Sequence, residues 1–317
     1  MSLVYGLLNR ARAVGNRFAP LFKNRWLRLS LQILVLLFCG FYLVRSLQGI
    51  GNFNVLLNGN LWLAILALAG TIGSTFLGAL NWWIVLQALN QQVTWRTAAR
   101  IHFQSTLAKY LPGYFWQLLG KAYMTRRAGS SLRNASLGLM VEMGIICATG
   151  SAIVLLLLPD GLAQAAGLQA GLPFLATAAL LLLAAIPFVT RWLVQRLGAP
   201  GMKTDLRWLA GSELLVVINW VLNGSFFWLL GNAITPVSLA QLPAFVFVLT
   251  ASFLIGFLVL IVPGSIGVRE AVIIFLLGPV LGNPLAAVAA LLDRVAFILG
   301  EVLSYLIFWV YERVARP

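Results

Sequence analysis

Apolar residues in this chain run in long blocks, broken by short polar stretches, with none of the strict alternation of a half-buried strand. The blocks predict membrane-crossing helices at about 29–47, 61–89, 135–158, 172–190, 208–231, 242–262, 267–281 and 285–311. A crossing helix needs about 20 residues, so the 267–281 piece is short and several others must tilt. Ahead of them, Leu7, Ala11, Val14 and Phe18 share one helical face with Arg10 and Arg17 opposite. That spacing predicts an amphipathic leader over 1–28, lying on the inner membrane surface. The expected architecture is therefore all-α: about eight transmembrane helices in one polytopic domain over 29–317.

Two Pro-Gly breaks interrupt the pattern, at Leu111-Pro112-Gly113 and Val262-Pro263-Gly264. Non-helical backbone survives at membrane depth only where protein buries it or where it lines a wet cavity. Thr97 to Leu111 and Tyr114 to Arg127 each read as helical and too short to cross. They predict a re-entrant hairpin entered and left from the cytoplasmic side, with a pair of interfacial helices as the alternative. The breaks lie 151 residues apart, which suggests an internal duplication with halves near 29–158 and 172–317. The flanks leave open whether the repeats are parallel or inverted. Small residues at every fourth position, Gly70-Ser74-Gly78 and Gly144-Ala148-Ala152, predict close helix packing.

Composition agrees with bilayer as the solvent: 61% of residues are hydrophobic and 9% charged, and the mean hydropathy is +0.94. The net charge of +14 raises the question of nucleic acid, but its distribution answers it. Six basic residues precede the first predicted span, seven lie between Arg96 and Arg133 and four between Arg191 and Arg207. The connections near 49–60, 159–171, 232–241 and 281–284 hold none. Loaded and empty loops alternate as the positive-inside rule requires. The expectation is an inner (cytoplasmic) membrane protein with both termini in the cytoplasm and no nucleic-acid partner. Cys39 and Cys147 fall within apolar blocks and read as ordinary buried thiols.

Charge inside an apolar span is expensive, so such residues face protein or water. Glu142, Glu213, Asn219, Asn223, Asp293, Arg294 and Glu301 are the candidates for a cavity lining. For Asn219 and Asn223 an interhelical hydrogen bond is the equal alternative. Basic residues beside a helix start suit a phosphate, because free amides and the dipole add to their charge. Near the first break these are Lys109, Pro112, Gly113, Lys121 and Arg126; near the second, Pro263, Gly264, Ser265, Gly267, Arg269 and Glu270. A lipid headgroup is the phosphate most available there. No Walker loop, no nucleophile–histidine–carboxylate set and no metal-ligand spacing occurs in the sequence. Neither an enzyme nor a resident cofactor is expected.

The segments Leu111-Pro112-Gly113 with Lys121 and Arg126-Arg127-Ala128-Gly129, and Val262-Pro263-Gly264-Ser265-Ile266-Gly267-Val268-Arg269-Glu270, resemble motifs of the lysylphosphatidylglycerol synthase transmembrane region family. The second is similar to that family's Pro-Gly-x-x-Gly-x-x-Glu signature, and the resemblance runs from about residue 29 onward. It implies a flippase that moves aminoacylated phospholipid between leaflets of the inner membrane. Phe115-Trp116-Gln117 stands where members often carry a glycine and an acidic residue. The cargo is thereby left open between a phospholipid and a polyprenyl-phosphate-linked lipid. The expectation is a monomeric or homodimeric translocator of lipids with anionic headgroups. The alternatives are an intramembrane lipid-modifying transferase and a scaffold for a cytoplasmic glycosyl- or aminoacyl-transferase partner.

Overall fold

The computed structural model describes residues 59–110, 116–165, 167, 171–197, 204–259, 265 and 267–314. The leader, the first predicted span, and residues Pro112, Gly113, Pro263 and Gly264 lie outside that set. The described elements are all helical: α1 (Leu61–Ala88), α2 (Trp95–Leu107), α3 (Trp116–Arg127), α4 (Leu132–Leu156), the short α5 (Asp160–Ala165), α6 (Leu172–Leu197), α7 (Leu206–Ile234), α8 (Leu242–Leu258), α9 (Val268–Leu281) and α10 (Asn283–Val314). Their starts are chemically marked. Asn60, Thr94, Ser131 and Asp205 each accept backbone N–H groups from the first turn of the helix that follows, as side-chain caps do.

Among the described residues, five helices are long and apolar enough to cross a membrane: α1, α4, α6, α7 and the Leu239–Leu258 segment that ends in α8. The protein is a multi-pass, all-α membrane protein. The crossings expected at 267–281 and 285–311 fall on α9 and α10, which are not among these five. With 14 residues, α9 reaches about 21 Å at 1.5 Å per residue, well short of a roughly 30 Å hydrocarbon core. Its partner α10 has 32 residues, with Asp293, Arg294 and Glu301 in its interior.

The expected hairpin is present in its helical arms. A 3-10 turn, Ala108–Tyr110, follows α2, and α2 and α3 pack on each other. A second pair of the same kind follows, with α8 packed on α9.

At the centre, α1 and α7 lie antiparallel. The Asn60 N–H donates to the Ala233 carbonyl (2.8 Å) and the Asp205 N–H to the Ala88 carbonyl (3.2 Å), so each helix start meets the other's end. Close approach depends on small residues. A Cβ on Gly224 would fall 2.5 Å from the Val246 Cα, which puts α7 against α8, and one on Gly300 would fall 2.8 Å from Thr71 Cγ2, which puts α10 against α1. Of the two expected small-residue stripes, Gly70-Ser74-Gly78 does face neighbours: Phe226, Asn219 and His102 respectively. On α4 the other stripe packs in part: Ala152 is fully buried and Ala148 lies against the core. Gly144 faces open space, whereas Gly138 meets Trp82 and Gly150 meets Trp220. The periphery is apolar and exposed, most plainly on α6 at Phe174, Leu180, Leu181, Phe188 and Trp192. In a bilayer that surface contacts acyl chains.

Candidate headgroup cavity

Between the two hairpins lies a cavity of about 280 Å³. Its wall is drawn from α1 (Ser74, Asn81), α2 and its turn (His102, Thr106, Lys109), α3 (Lys121), α4 (Glu142), α7 (Asn219, Asn223), α8 (Phe253), Ser265, Arg269 on α9, and α10 (Arg294, Phe297, Glu301). The helical period aligns these groups. Spacings of four and three put His102, Thr106 and Lys109 on one face, and spacings of three and four do the same for Arg294, Phe297 and Glu301.

Among the described residues, four ion pairs gather here. Lys121 Nζ donates to both Glu142 carboxylate oxygens at 2.7 Å, sits 3.5 Å from His102 Nδ1, and lies 4.2 Å from the Trp82 ring centroid. Lys109 bonds Glu301. Arg269 reaches Asp293 at 3.3 Å and Arg294 reaches Glu270 at 3.6 Å. The Lys109 and Arg269 cations both face the Phe297 ring, 5.5 and 5.2 Å from its centroid. Residues flanking the two sequence breaks therefore meet at one aromatic ring.

These pairs use four of the chain's eight acids. Burying a charge pair costs desolvation that the mutual attraction often fails to recover, so such pairs contribute little net stability. Four of them at one hollow is therefore an expensive arrangement within a membrane.

The described wall carries four cations, Lys109, Lys121, Arg269 and Arg294, against two carboxylates, Glu142 and Glu301. Asp293 and Glu270 stand behind the two arginines and are not part of the wall. With all groups ionised, Asp293 and Glu270 balance the two arginines from behind, and the described cluster is even, four cations to four carboxylates. A second set of polar groups is neutral. Ser74 Oγ donates to Asn219 Oδ1 (2.7 Å), and Asn223 Nδ2 donates to Ser74 Oγ (2.7 Å) and to the Asn219 carbonyl (2.7 Å). Ser212 Oγ donates to Asn81 Oδ1 at 2.6 Å. Both alternatives for Asn219 and Asn223 thus apply, since they bond between helices and also line the hollow.

Several expected residues lie elsewhere. Glu213 is on α7 but does not line the cavity; Ser212 takes the inward direction, and the next residue points about 100° away on a helix of 3.6 residues per turn. Asp293 is likewise the residue behind Arg269, one step round α10 from Arg294. Arg126 is exposed at the end of α3. At the start of α9, where open amides are expected, the Gly267 N–H is taken from within the helix, donating to Glu270 Oε2 (2.7 Å). The Ser265 hydroxyl donates to the Gly256 carbonyl (2.7 Å), and its φ of 54° marks a tight turn into α9. The cavity also takes in Asn81, Ser74, His102 and Thr106, which the sequence pattern did not single out. The His102-Thr106-Lys109 stripe carries no signal of its own, because the same helix also holds Arg96, Arg100, Gln104 and Ser105.

No curated protein matches the chain. Residues 29–301 match the family model described as the lysylphosphatidylglycerol synthase TM region. That match covers most of the 317 residues and includes the whole cavity. The chain belongs to the lysylphosphatidylglycerol synthase TM region family.

Proposed function

We propose that this protein moves a lipid with an anionic headgroup between the leaflets of the bacterial inner membrane, without changing it chemically. The observation that carries the reading is the cation-rich hollow to which both interrupted hairpins contribute. In this reading a lipid phosphate enters among Lys109, Lys121, Arg269 and Arg294, and the carboxylates exchange partners with it as it passes. The hollow is of headgroup size, so the acyl chains stay outside, along the apolar periphery. Lys121 and Arg269 sit on the helix after each break, and Glu142 and Asp293 on the helix after that.

The element order supports an inverted repeat. Shifted by 151 residues, α1 to α4 start within six residues of α7, α8, α9 and α10 respectively. Antiparallel α1 and α7 make the two units opposite in sense. The first hairpin then enters from the cytoplasmic side and the second from the other, with both termini cytoplasmic. Inverted repeats with discontinuous helices at their interface are a recurrent transporter plan.

The test is leaflet exchange in vesicles reconstituted with the purified chain, read by quenching fluorescent phosphatidylglycerol from outside. Exchange above that of protein-free vesicles, lost in Arg269→Gln, supports the reading. Protein-free rates in both overturn it. Lipid mass spectrometry of a deletion strain addresses the transferase alternative, which requires a lipid species to disappear.

A further inference from the structure

We infer that the cavity selects an unmodified polyol-phosphate headgroup, that is, a lipid phosphate bearing free glycerol or sugar hydroxyls and no ammonium group. This rests on the translocator reading above and names its substrate class. The argument combines three features of the wall.

The first is its charge. The described wall presents four cations and two carboxylates, the other two acids standing behind the arginines, so an entering headgroup meets more cations than acids. The connections within the hairpins do not alter the count, because residues 111–115, 260–264 and 266 carry no charged side chain. Two of the aromatic faces on the wall already meet cations. Phe297 faces Lys109 and Arg269, and Phe253 faces Arg269 at 6.0 Å.

The second feature is a pair of buried donors that the protein leaves unused. Arg269 Nε and Thr106 Oγ1 have no hydrogen-bond partner among the described residues, although their residues are only 8% and 6% exposed. An unsatisfied buried donor costs about 1–3 kcal/mol, so such groups are retained where a ligand completes them. Both belong to residues that line the hollow. The Nε–H of a guanidinium whose Nη2 is already held by Asp293, together with a hydroxyl, matches the oxygens of a phosphate.

The third is the neutral amide set. Asn219 and Asn223 each keep one amide end outside the Ser74 network, and Asn81 keeps its amide nitrogen outside its bond to Ser212. Side-chain amides offer donors and acceptors without charge, which suits hydroxyls. A phosphate monoester alone would leave them unmatched. A site built to hydrogen-bond a hydroxyl discriminates against an analogue that lacks it, because its own polar groups are then left unpaired.

The experiment is native mass spectrometry of the full chain in neutral detergent. Phosphatidylglycerol, phosphatidic acid, phosphatidylethanolamine and lysylphosphatidylglycerol compete at equal concentration, and a separate arm uses inorganic phosphate. Phosphatidylglycerol is expected to bind about tenfold above phosphatidic acid, as one or two hydroxyl contacts of about 1 kcal/mol each would give. It should also outcompete both ammonium lipids. Asn219→Leu/Asn223→Leu should retain phosphatidic acid and lose the preference for the polyol, whereas Arg269→Gln should weaken both. The proposal fails if either ammonium lipid binds as well as phosphatidylglycerol, or if the wild-type chain does not separate phosphatidylglycerol from phosphatidic acid. It also fails if millimolar inorganic phosphate displaces every lipid equally, which would make free phosphate the ligand. The wild-type competition decides even if a variant misfolds. Because it reads binding and not transport, selective binding without leaflet exchange would sink the translocator reading alone.

Discussion

Glu142 and Asp293 stand 151 residues apart, and each receives a cation from the helix after a Pro-Gly break: Lys121 at 2.7 Å and Arg269 at 3.3 Å. The repeat offset found between the breaks is therefore reproduced by the acids that answer them. Lys121 and Glu142 are the more deeply buried pair, with side chains 4% and 3% exposed. Removing one member leaves the other charged and uncompensated, at a cost of about 3–5 kcal/mol. Glu142→Leu is expected to lower the thermal unfolding temperature in detergent sharply. Adding Lys121→Met to it should recover most of the loss while abolishing lipid exchange. A double variant no more stable than Glu142→Leu would mean that the two charges are not mutually compensating.

The exposed pair predicts the opposite magnitude. Arg100 makes a two-pronged contact with Glu312, with Nη2 at 2.6 Å, but its side chain is 45% exposed. Solvent screens such pairs to about 0–1 kcal/mol. Arg100→Ala should leave the unfolding temperature nearly unchanged and leave lipid exchange intact. A large loss in either would place this contact in the working machinery.

Much of the fold was legible because apolar length is a strong signal. The run predicted at 61–89 is α1 at Leu61–Ala88, and that at 208–231 is α7 at Leu206–Ile234. Residue types within the cavity were legible too, since charge in an apolar run has few cheap explanations. Partner identity was not. Lys109 and Glu301 are 192 residues apart, and no local pattern joins them. Direction round a helix was also lost in places. Glu213 and Ser212 are neighbours in sequence, yet only the serine turns toward Asn81. The self-capping of α9 escaped because Glu270 was read as a cavity group, while its position three residues past Gly267 is also that of a capping acid.

Opposed hairpins can be checked by chemical access. Arg126 at the end of α3 and Leu239 just before α8 are both exposed. In a background with Cys39 and Cys147 replaced by serine, Arg126→Cys and Leu239→Cys are expected to react with a membrane-impermeant maleimide from opposite faces. The first should label only after the inner face is opened, and the second in intact cells. Labelling of both from one face would rule out the inverted arrangement, whatever the cargo is.

Close packing gives a further comparison, with its control on another helix. At Gly224 the obstacle to a side chain is the Val246 Cα, 2.5 Å from where a Cβ would stand, and backbone cannot swing aside as a side-chain tip can. Gly224→Ala must therefore push α8 away from α7, and overpacking of this kind costs about 1–3 kcal/mol. Because the Gly256 carbonyl on α8 accepts from the Ser265 hydroxyl, the displacement should reach the cavity as well as the melting temperature. Gly144→Ala meets no atom within 4 Å and should be stable, gaining slightly from the better helix propensity of alanine. The expected result is a fall in both unfolding temperature and lipid exchange for Gly224→Ala, with neither changed for the worse in Gly144→Ala. Equal behaviour of the two variants would mean that the α7–α8 contact does not set the position of the second hairpin.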